Sequence, residues 1–412
     1  MNMKICHVCS GHTADDSRVF HKQCVSLVRA GYEVHLIATG TPGQRVNSNG
    51  VIVHPLPAFQ NRYERFKRRW KVASYASKIA ADLYHVHEPD LLGPVLARTG
   101  GSPVIFDVHE SYLDTLMERP WLPKHLRPLI RILWDQAERR LVKRCAAIVA
   151  ATDHIAVRYS NLHSKVNVIR NFSEPCTEGN NGAQSRDGRT CVFAGVLKAD
   201  RNLGTSVQAL GVLRRRGLAA RLWLAGNWSP RSHKDGIFAI AQREGVSGQV
   251  HDLGFMSHTD AMSLQSRASI GLINILPISN SVNSLPIKMF ECMTLGLPLI
   301  YSNFPSFGKL IGKAEVGIPV DPTSIKQTAD AIEFLIRNPN IATAMGNAGK
   351  KLVHERFNWN SESEKLVHLY RDILTHNRSP VTTKETIPIW RSNSFRDARR
   401  ENPSKDKAAK VS

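Results

Sequence analysis

The residues best suited to chemistry lie in the stretch Asn283-Ser-Leu-Pro-Ile-Lys288-Met-Phe-Glu291-Cys-Met-Thr-Leu-Gly296. Ser284 is a helix-capping type, Pro286 suits a first turn and Gly296 suits a helix end, so the spacing predicts a helix between them. Lys288 and Glu291 are three residues apart and share one helix face. A helix N-terminus with a lysine in its first turn offers a phosphate site. A carboxylate one turn deeper can accept two hydrogen bonds from a ribose diol. The same two residues also suit a surface ion pair worth about 0.2–0.5 kcal/mol.

A second segment has similar chemistry. The apolar run at 190–194 leads into Gly195, then Val-Leu-Lys-Ala-Asp-Arg201-Asn-Leu-Gly204 and a helical pattern carrying Leu203, Val207 and Leu210. Glycine at a strand end lets backbone approach a ligand, and Arg201 stands at a helix entrance, again a phosphate-binding arrangement. An ordinary strand-to-helix loop with a solvated arginine is the plainer alternative.

Towards the N-terminus two strands end in His-Glu pairs, His87-Glu88-Pro89 and Asp107-Val-His109-Glu110. Carboxyl ends of parallel strands are where such folds bind ligands. His85, His87 and His109 also offer nitrogen to a metal, but no cysteine or carboxylate completes an obvious ligand set. The segment Ser10–Ser17, with Gly11, His12 and Asp16 and followed by Arg18, reads as a loop overhanging the same region.

These groups must be positioned by strands that alternate with helices. Strands are expected at Lys4–Cys9, Tyr32–Ala38, Val51–His54, Leu83–His87, Val104–Val108, Ala146–Thr152 and Val166–Arg170, with a helix at Arg18–Ala30 closed by Gly31. The alternation restarts with Thr190–Ala194, Arg221–Ala225, Val250–Leu253, Ile270–Ile275 and Pro298–Tyr301. Strands alternating with helical segments imply parallel, doubly wound sheets. The expected division is an N-terminal domain at 1–172, a polar Gly/Asn-rich linker at 173–189 and a second domain at 190–358. A helix at 359–376 (core Ser361–Thr375) then returns to the first domain, and a tail follows at 377–412. From Arg378 that tail has nine basic and four acidic residues with little apolar pattern, and is expected to be disordered. A cleft between two such domains is the natural ligand site.

With these segments in view, the chain resembles the retaining glycosyltransferases of family 4, which have the GT-B fold. The resemblance runs from about Lys4 to Tyr370 through FAGVL…RNLGTSVQAL, LWLAGNW, HDLGFMSHTDAMSLQSRASIGL, LPIKMFECMTLGLPLI and FNW…EKLVHLY. The most specific part is P-x-K-x-F-E followed by G-x-P-x-I, the pattern of the branch that builds bacterial surface polysaccharides. The resemblance implies a nucleotide-sugar donor as substrate, no cofactor and no metal. It places Glu291 on the nucleotide ribose, Arg201 with Lys288 on the diphosphate, and Gly254 and Phe255 beside the nucleobase. It sets His109, with Glu110 next to it, beside the transferred sugar. Gly11 is expected near the diphosphate or acceptor. Asn283 stands where the family's first glutamate falls, and Cys292 where the branch usually has tyrosine.

Bulk composition bounds the rest. The 412 residues are 42% hydrophobic, enough for two packed cores. No apolar run approaches the roughly 20 residues needed to span a bilayer, and no secretion signal opens the chain. The seven scattered cysteines suggest a reducing, cytoplasmic setting. Cys6 and Cys9 form a C-x-x-C, but on a strand residues three apart point to opposite faces. The formal charge of +20 calls for an anionic partner. Nucleic acid is not expected, since no base-stacking or groove-reading motif is present. No G-x-G-x-x-G follows the first strand, which argues against a nicotinamide enzyme. Phe59–Lys78 has seven basic residues and one acidic, with Phe59, Tyr63, Phe66 and Trp70 at helical spacing. Trp121, Leu122, Leu126, Leu129, Ile130 and Leu133 form another stripe. Both suit an anionic membrane surface, on the inner face where polyprenyl-linked glycan acceptors lie; packing on the N-terminal sheet is the alternative. Two other functions stay open: a non-catalytic subunit serving a partner transferase, motivated by Asn283, and a nucleotide-sugar epimerase.

Overall fold

A computed structural model of the chain describes residues 3–40, 46–59, 61–117, 122–174 and 186–376. The tail at 377–412, most of the 173–189 segment, Cys176 and Trp121 lie outside the described residues.

Two parallel sheets dominate. The first holds β1 (Lys4–Thr13), β2 (Glu33–Thr39), β3 (Val46–Ser48), β4 (Val51–Leu56), β5 (Leu83–Val86), β6 (Val104–Val108), β7 (Ala147–Ala150) and β8 (Val166–Val168). Their order is β3-β4-β2-β1-β5-β6-β7-β8, parallel except for β3, which pairs antiparallel with β4. The second holds β9 (Thr190–Ala194), β10 (Arg221–Ala225), β11 (Val250–Asp252), β12 (Ile270–Ile273), β13 (Leu299–Ser302) and β14 (Gly317–Val320), in the order β11-β10-β9-β12-β13-β14. Both are Rossmann-like, and together they make the GT-B α/β architecture. Central strands such as Val104–Val108 and Thr190–Ala194 are buried along their whole length. Helices cover both faces, so strands read as continuous rather than alternating apolar runs.

Each sheet has a switch point, where the order turns back: β1 between β2 and β5, and β9 between β10 and β12. Connections on either side of such a strand part to opposite faces and leave a crevice beyond its carboxyl end. Cys6 and Cys9 point to opposite sides of the first sheet, each into a different apolar core.

The helix Trp359–His376 packs on the first sheet. Trp359, Leu366, Leu369, Tyr370, Ile373 and Leu374 share a core with Ile5, Leu27, Leu36 and Leu83. Trp359 Nε1 donates to Ser26 Oγ at 2.8 Å, and Trp359 N to Ser173 O at 3.0 Å. Arg186 donates to the carbonyls of Gly296 and Leu295 at 2.8 and 2.7 Å. A cation there complements the C-terminus of the helix Ile287–Thr294.

Three details differ from the sequence expectation. β1 runs on to Thr13 instead of ending at Cys9, with an irregularity in its pairing between Val8 and Thr13. The carboxylate of Glu88 anchors that segment, accepting from Ser10 N and Gly11 N at 3.1 and 2.7 Å. The helix expected at Arg18–Ala30 opens as a π-helix over Ser17–Cys24 before turning α at Val25–Arg29. Asp16 caps it by accepting from Arg18 N and Val19 N, both at 2.9 Å. Ser284 does not cap the donor helix, which starts at Ile287 with Pro286 before it. The Ser284 hydroxyl instead donates to Ser281 O at 3.0 Å, closing a turn.

Candidate active site

The first domain contributes buried side chains. β6 carries Asp107 next to its last residue, fully buried between strands and the Ser17–Cys24 helix. Arg18 grips it through Nη2 at 2.9 Å and Nε at 3.3 Å, and Gln23 Nε2 donates to it at 2.7 Å. Burial pushes this carboxyl up, but Arg18 and His109 outweigh it and hold Asp107 well below the usual carboxylate range. It is therefore a fixed negative charge. His109 lies just past the strand end, its Nε2 3.3 Å from Asp107 Oδ2 and 3.1 Å from His87 Nδ1. Burial lowers the His109 pKa against the upward pull of Asp107, so its neutral form prevails at neutral pH. His12 stands with its ring 4.8 Å from that of His109 and pairs with Asp16 at 3.1 Å. Burial would lower His12, but the Asp16 carboxylate wins and raises it.

The second domain contributes loops and helix entrances. Lys288 Nζ reaches both oxygens of the buried Glu291, at 3.1 and 2.8 Å. Both residues lie on the Ile287–Thr294 helix, whose N-cap has no side-chain hydrogen bond. Gly195 is at φ +152, a conformation that residues with side chains rarely adopt, and a Cβ there would touch Lys288 Cε at 3.4 Å. Gly226 must also be glycine, because a Cβ would meet Gly195 O at 1.8 Å. Arg201 closes the turn Ala199–Arg201. Lys198 reaches Asp200 at 3.0 Å, so two cations flank one carboxylate in that turn.

Between the domains lies a cavity of about 620 Å³. His12, Asp16, Arg18, His109 and Glu110 line it from the first domain, and Lys198, Arg201, Ser281, Asn283 and Ser284 from the second. Of the residues singled out in the sequence, His12, Asp16, Arg18, His109, Glu110, Arg201, Asn283 and Ser284 meet here. Lys288, Glu291 and Gly195 cluster beside one another on the second domain and are not part of this lining. Gly254, at φ +71, and Phe255, 73% exposed, follow β11 and stand apart from the cavity. Gly254 O accepts from Gly226 N at 2.7 Å, which ties that loop to the β10 end. Gly11 also lies outside the lining, bonded to Glu88. Cys292 is buried with Sγ 3.5 Å from Gln265 Oε1, and burial pushes its thiol up to about 12, so it is a packing residue against β12.

Among the described residues, two groupings would be close enough to hold a metal: His7, His85 and His87, and His87, Asp107 and His109. Each shares two histidines with the set named from sequence, and in the second the Asp107 carboxylate supplies the third group, contrary to the expectation that no carboxylate completes a set. In both, nitrogens already bond to one another or to neighbouring side chains.

Comparison with known proteins agrees with this architecture. Residues 17–174 match the model for Glycosyltransferase Family 4, and residues 180–352 match that for Glycosyl transferases group 1. The chain belongs to glycosyltransferase family 4. It is 26% identical over 298 residues to the alpha-D-kanosaminyltransferase of Streptomyces kanamyceticus, covering 68% of this chain and 73% of that protein. It is 22% identical over 301 residues to the GDP-mannose:cellobiosyl-diphosphopolyprenol alpha-mannosyltransferase of Xanthomonas oryzae pv. oryzae, covering 72% and 75%. Among solved structures, the sucrose-phosphate synthase of Thermosynechococcus elongatus superposes with TM-score 0.71 at 16% identity, covering 91% of this chain and all of that one. Anabaena HepE in complex with UDP superposes with TM-score 0.66 at 11% identity, covering 90% and 100%.

Sequence reading of this glycosyltransferase missed Lys22. It is buried on the Ser17–Cys24 helix and donates to Asn171 Oδ1 at 2.8 Å. Burial lowers its pKa to about 7, while Glu291 of the other domain pulls it up and Arg18 and Lys288 pull it down. Lys22 thus links the first domain to the Lys288–Glu291 pair. A signal was present: Arg18 and Lys22, four apart, share one side of a helix that also buries Val19, Phe20 and Cys24, and buried cations in such a setting mark functional sites.

Proposed function

We propose that this glycosyltransferase moves a sugar from a nucleoside diphosphate donor, UDP first and GDP second, to a glycan or polyprenyl-linked acceptor. Transfer keeps the anomeric configuration, needs no metal, and serves surface-polysaccharide assembly at the cytoplasmic face of a membrane. The observation that carries this reading is the cavity shared by His109 and Glu110 on one side and Arg201 and Asn283 on the other.

Breaking the anomeric C–O bond leaves charge on the departing diphosphate. Arg201, Lys288 and the uncapped N–H groups of the Ile287–Thr294 helix suit that charge. Glu291 suits a ribose diol. Neutral His109 suits a hydroxyl of the transferred sugar, and the departing phosphate takes the acceptor's proton on the same face. Asn283, in the cavity lining, suits a sugar hydroxyl in place of a glutamate. The Xanthomonas relative's GDP-mannose and diphosphopolyprenol, and the UDP bound by Anabaena HepE, support the donor and acceptor classes.

Membrane contact has its own support. Tyr63, Phe66 and Trp70 are 74, 53 and 43% exposed on the helix Arg62–Ser77, whereas Phe59 packs on the core. Leu129, Ile132 and Leu133 are exposed on Arg127–Val142, while Leu122 is buried. A basic helix with exposed aromatics suits an anionic surface. Among the described residues no helix is long and apolar enough to cross a membrane.

The test is a transfer assay with UDP- and GDP-sugars and lipid-linked glycan acceptors, with and without EDTA, the product anomer read by NMR. Transfer with retention that persists in EDTA is the expected result. An altered free donor sugar without transfer would mean an epimerase, and donor binding without transfer until a partner is added would mean a non-catalytic subunit.

A further inference from the structure

Beside the 620 Å³ cavity a second one, of about 660 Å³, opens between the same two domains. Thr152, His154, Asn283 and Leu285 line both, so the two form one continuous space with Asn283 at the passage. Cavities of roughly 300–1,000 Å³ hold ligands of small-molecule size. Phe172 and Phe357, both buried and with ring centroids 5.2 Å apart, form the base of the second cavity with Leu285 and Leu310.

Its charged lining is Arg170, Lys309, Arg356 and Lys365 against Asp153 and Glu362. The two carboxylates are already matched. Arg170 Nη2 donates to both Asp153 oxygens at 2.7 and 2.9 Å, and Lys365 Nζ to Glu362 Oε1 at 2.8 Å. Glu362 Oε2 also accepts from Arg170 N at 2.8 Å. Lys309 and Arg356 are the surplus. Among the described residues neither side chain has a hydrogen-bond or ion-pair partner, and Arg356 only lies against the Phe357 ring at 5.2 Å. Lys309 is in the last turn of the helix Pro305–Ile311 and Arg356 follows Pro339–Glu355. Helix C-termini favour a cation there but leave its N–H groups unused.

We propose that this second cavity is an anion site that takes a phosphate-bearing part of the acceptor. Lys309 binds the phosphate as a point charge and Arg356 as a planar fork. Two observations favour the acceptor over the donor. Arg201, Lys288 and Glu291, the groups suited to the donor diphosphate and ribose, are absent from this lining. The passage at Asn283 lets one molecule occupy both cavities, so an acceptor whose hydroxyl stands beside His109 extends its anionic end to Lys309 and Arg356. The acceptor assignment rests on the proposed transferase reading; the anion site does not.

The test is calorimetric titration of the full chain with inorganic pyrophosphate in the presence of saturating UDP, which fills the donor groups. Both cations are exposed, so Lys309→Ala combined with Arg356→Ala is expected to fold, as thermal melting checks. The expected result is pyrophosphate binding beside UDP that weakens at least about tenfold in the double variant. No pyrophosphate binding to the wild type beside UDP overturns the proposal whether or not the variant folds. Undiminished binding in a folded variant overturns it equally and leaves the two cations as helix-end charges. If UDP itself does not bind, the transferase reading fails separately, and the same comparison with pyrophosphate alone still tests the anion site. In the transfer assay with a diphosphate-linked acceptor, the double variant is expected to raise the acceptor KM at least about tenfold with the donor KM unchanged. An unchanged acceptor KM with pyrophosphate binding lost would make this a site for a free anion and overturn the acceptor assignment.

Discussion

The two walls of the cleft answer one topological problem with opposite chemistry. Each sheet turns back at a central strand, β1 or β9, and sets its polar groups beyond strand ends. On the first wall these groups are buried side chains joined over long chain separations: Arg18 to Asp107 spans 89 residues and Tyr370 to His7 spans 363. On the second they are local: Lys288 and Glu291 are three apart, and Lys198, Asp200 and Arg201 share one turn. Buried charge is costly when unpaired, whereas a half-exposed cation at a helix entrance is not. The first wall should therefore tie function to stability and protonation, and the second should separate them.

The sharpest way to break that contrast is Arg18→Met. It leaves Asp107 buried without its main partner and is expected to cost about 3–5 kcal/mol in urea unfolding. A loss below about 1 kcal/mol would make the two walls alike. Next, Arg201→Ala, which leaves Asp200 paired with Lys198, is expected to slow transfer on the order of 10²–10³-fold while leaving stability within about 1 kcal/mol. Matching losses of fold and activity would remove the separation.

A smaller effect comes from pH. Burial pushes His7, His85 and His87 down, His87 to about 3. The unfolded chain protonates these rings below about pH 6.5 and the folded one does not. Their stability contribution is thus complete above about pH 6.5 and lost as pH falls towards 3. The slope is about 1.4 kcal/mol per pH unit for each ring. His87→Gln should reduce the slope by one ring's share in thermal scans between pH 7 and 4.5, and Arg201→Ala should leave it unchanged. The smallest stability effect belongs to Tyr63→Ala with Phe66→Ala and Trp70→Ala, expected within about 0.5 kcal/mol per site. Cosedimentation with phosphatidylglycerol vesicles should nevertheless fall; undiminished binding would detach this helix from the membrane.

The same contrast explains what could be read in the sequence. Most strands are legible, because β-branched runs between glycine-marked turns are local signals. β3 and β14 are not: Val-Asn-Ser is too short to alternate, and Gly-Ile-Pro-Val carries a proline that reads as a break. On the second wall the Lys288–Glu291 spacing is visible in one turn of helix, although the Ser284 hydroxyl serves a preceding turn and not the cap. On the first wall His109 is visible through its strand end. Its supports are not, since nothing local to His7 or Tyr370 says that they meet. Lys22 left a trace only as a cation on an inward face. Tyr63, Phe66 and Trp70 show a helical stripe in sequence, but a stripe alone does not say whether it faces a core; the exposure of the three rings shows that it does not.

The central claim is a nucleotide site built on Lys288 and Glu291 with the first domain closing over it. Calorimetry with UDP, GDP and ADP on wild type and Glu291→Ala tests it most directly. Binding of one nucleotide that is lost in a folded Glu291→Ala protein is the predicted result. No binding of any of the three to folded wild type, or binding undiminished by the substitution, would contradict it.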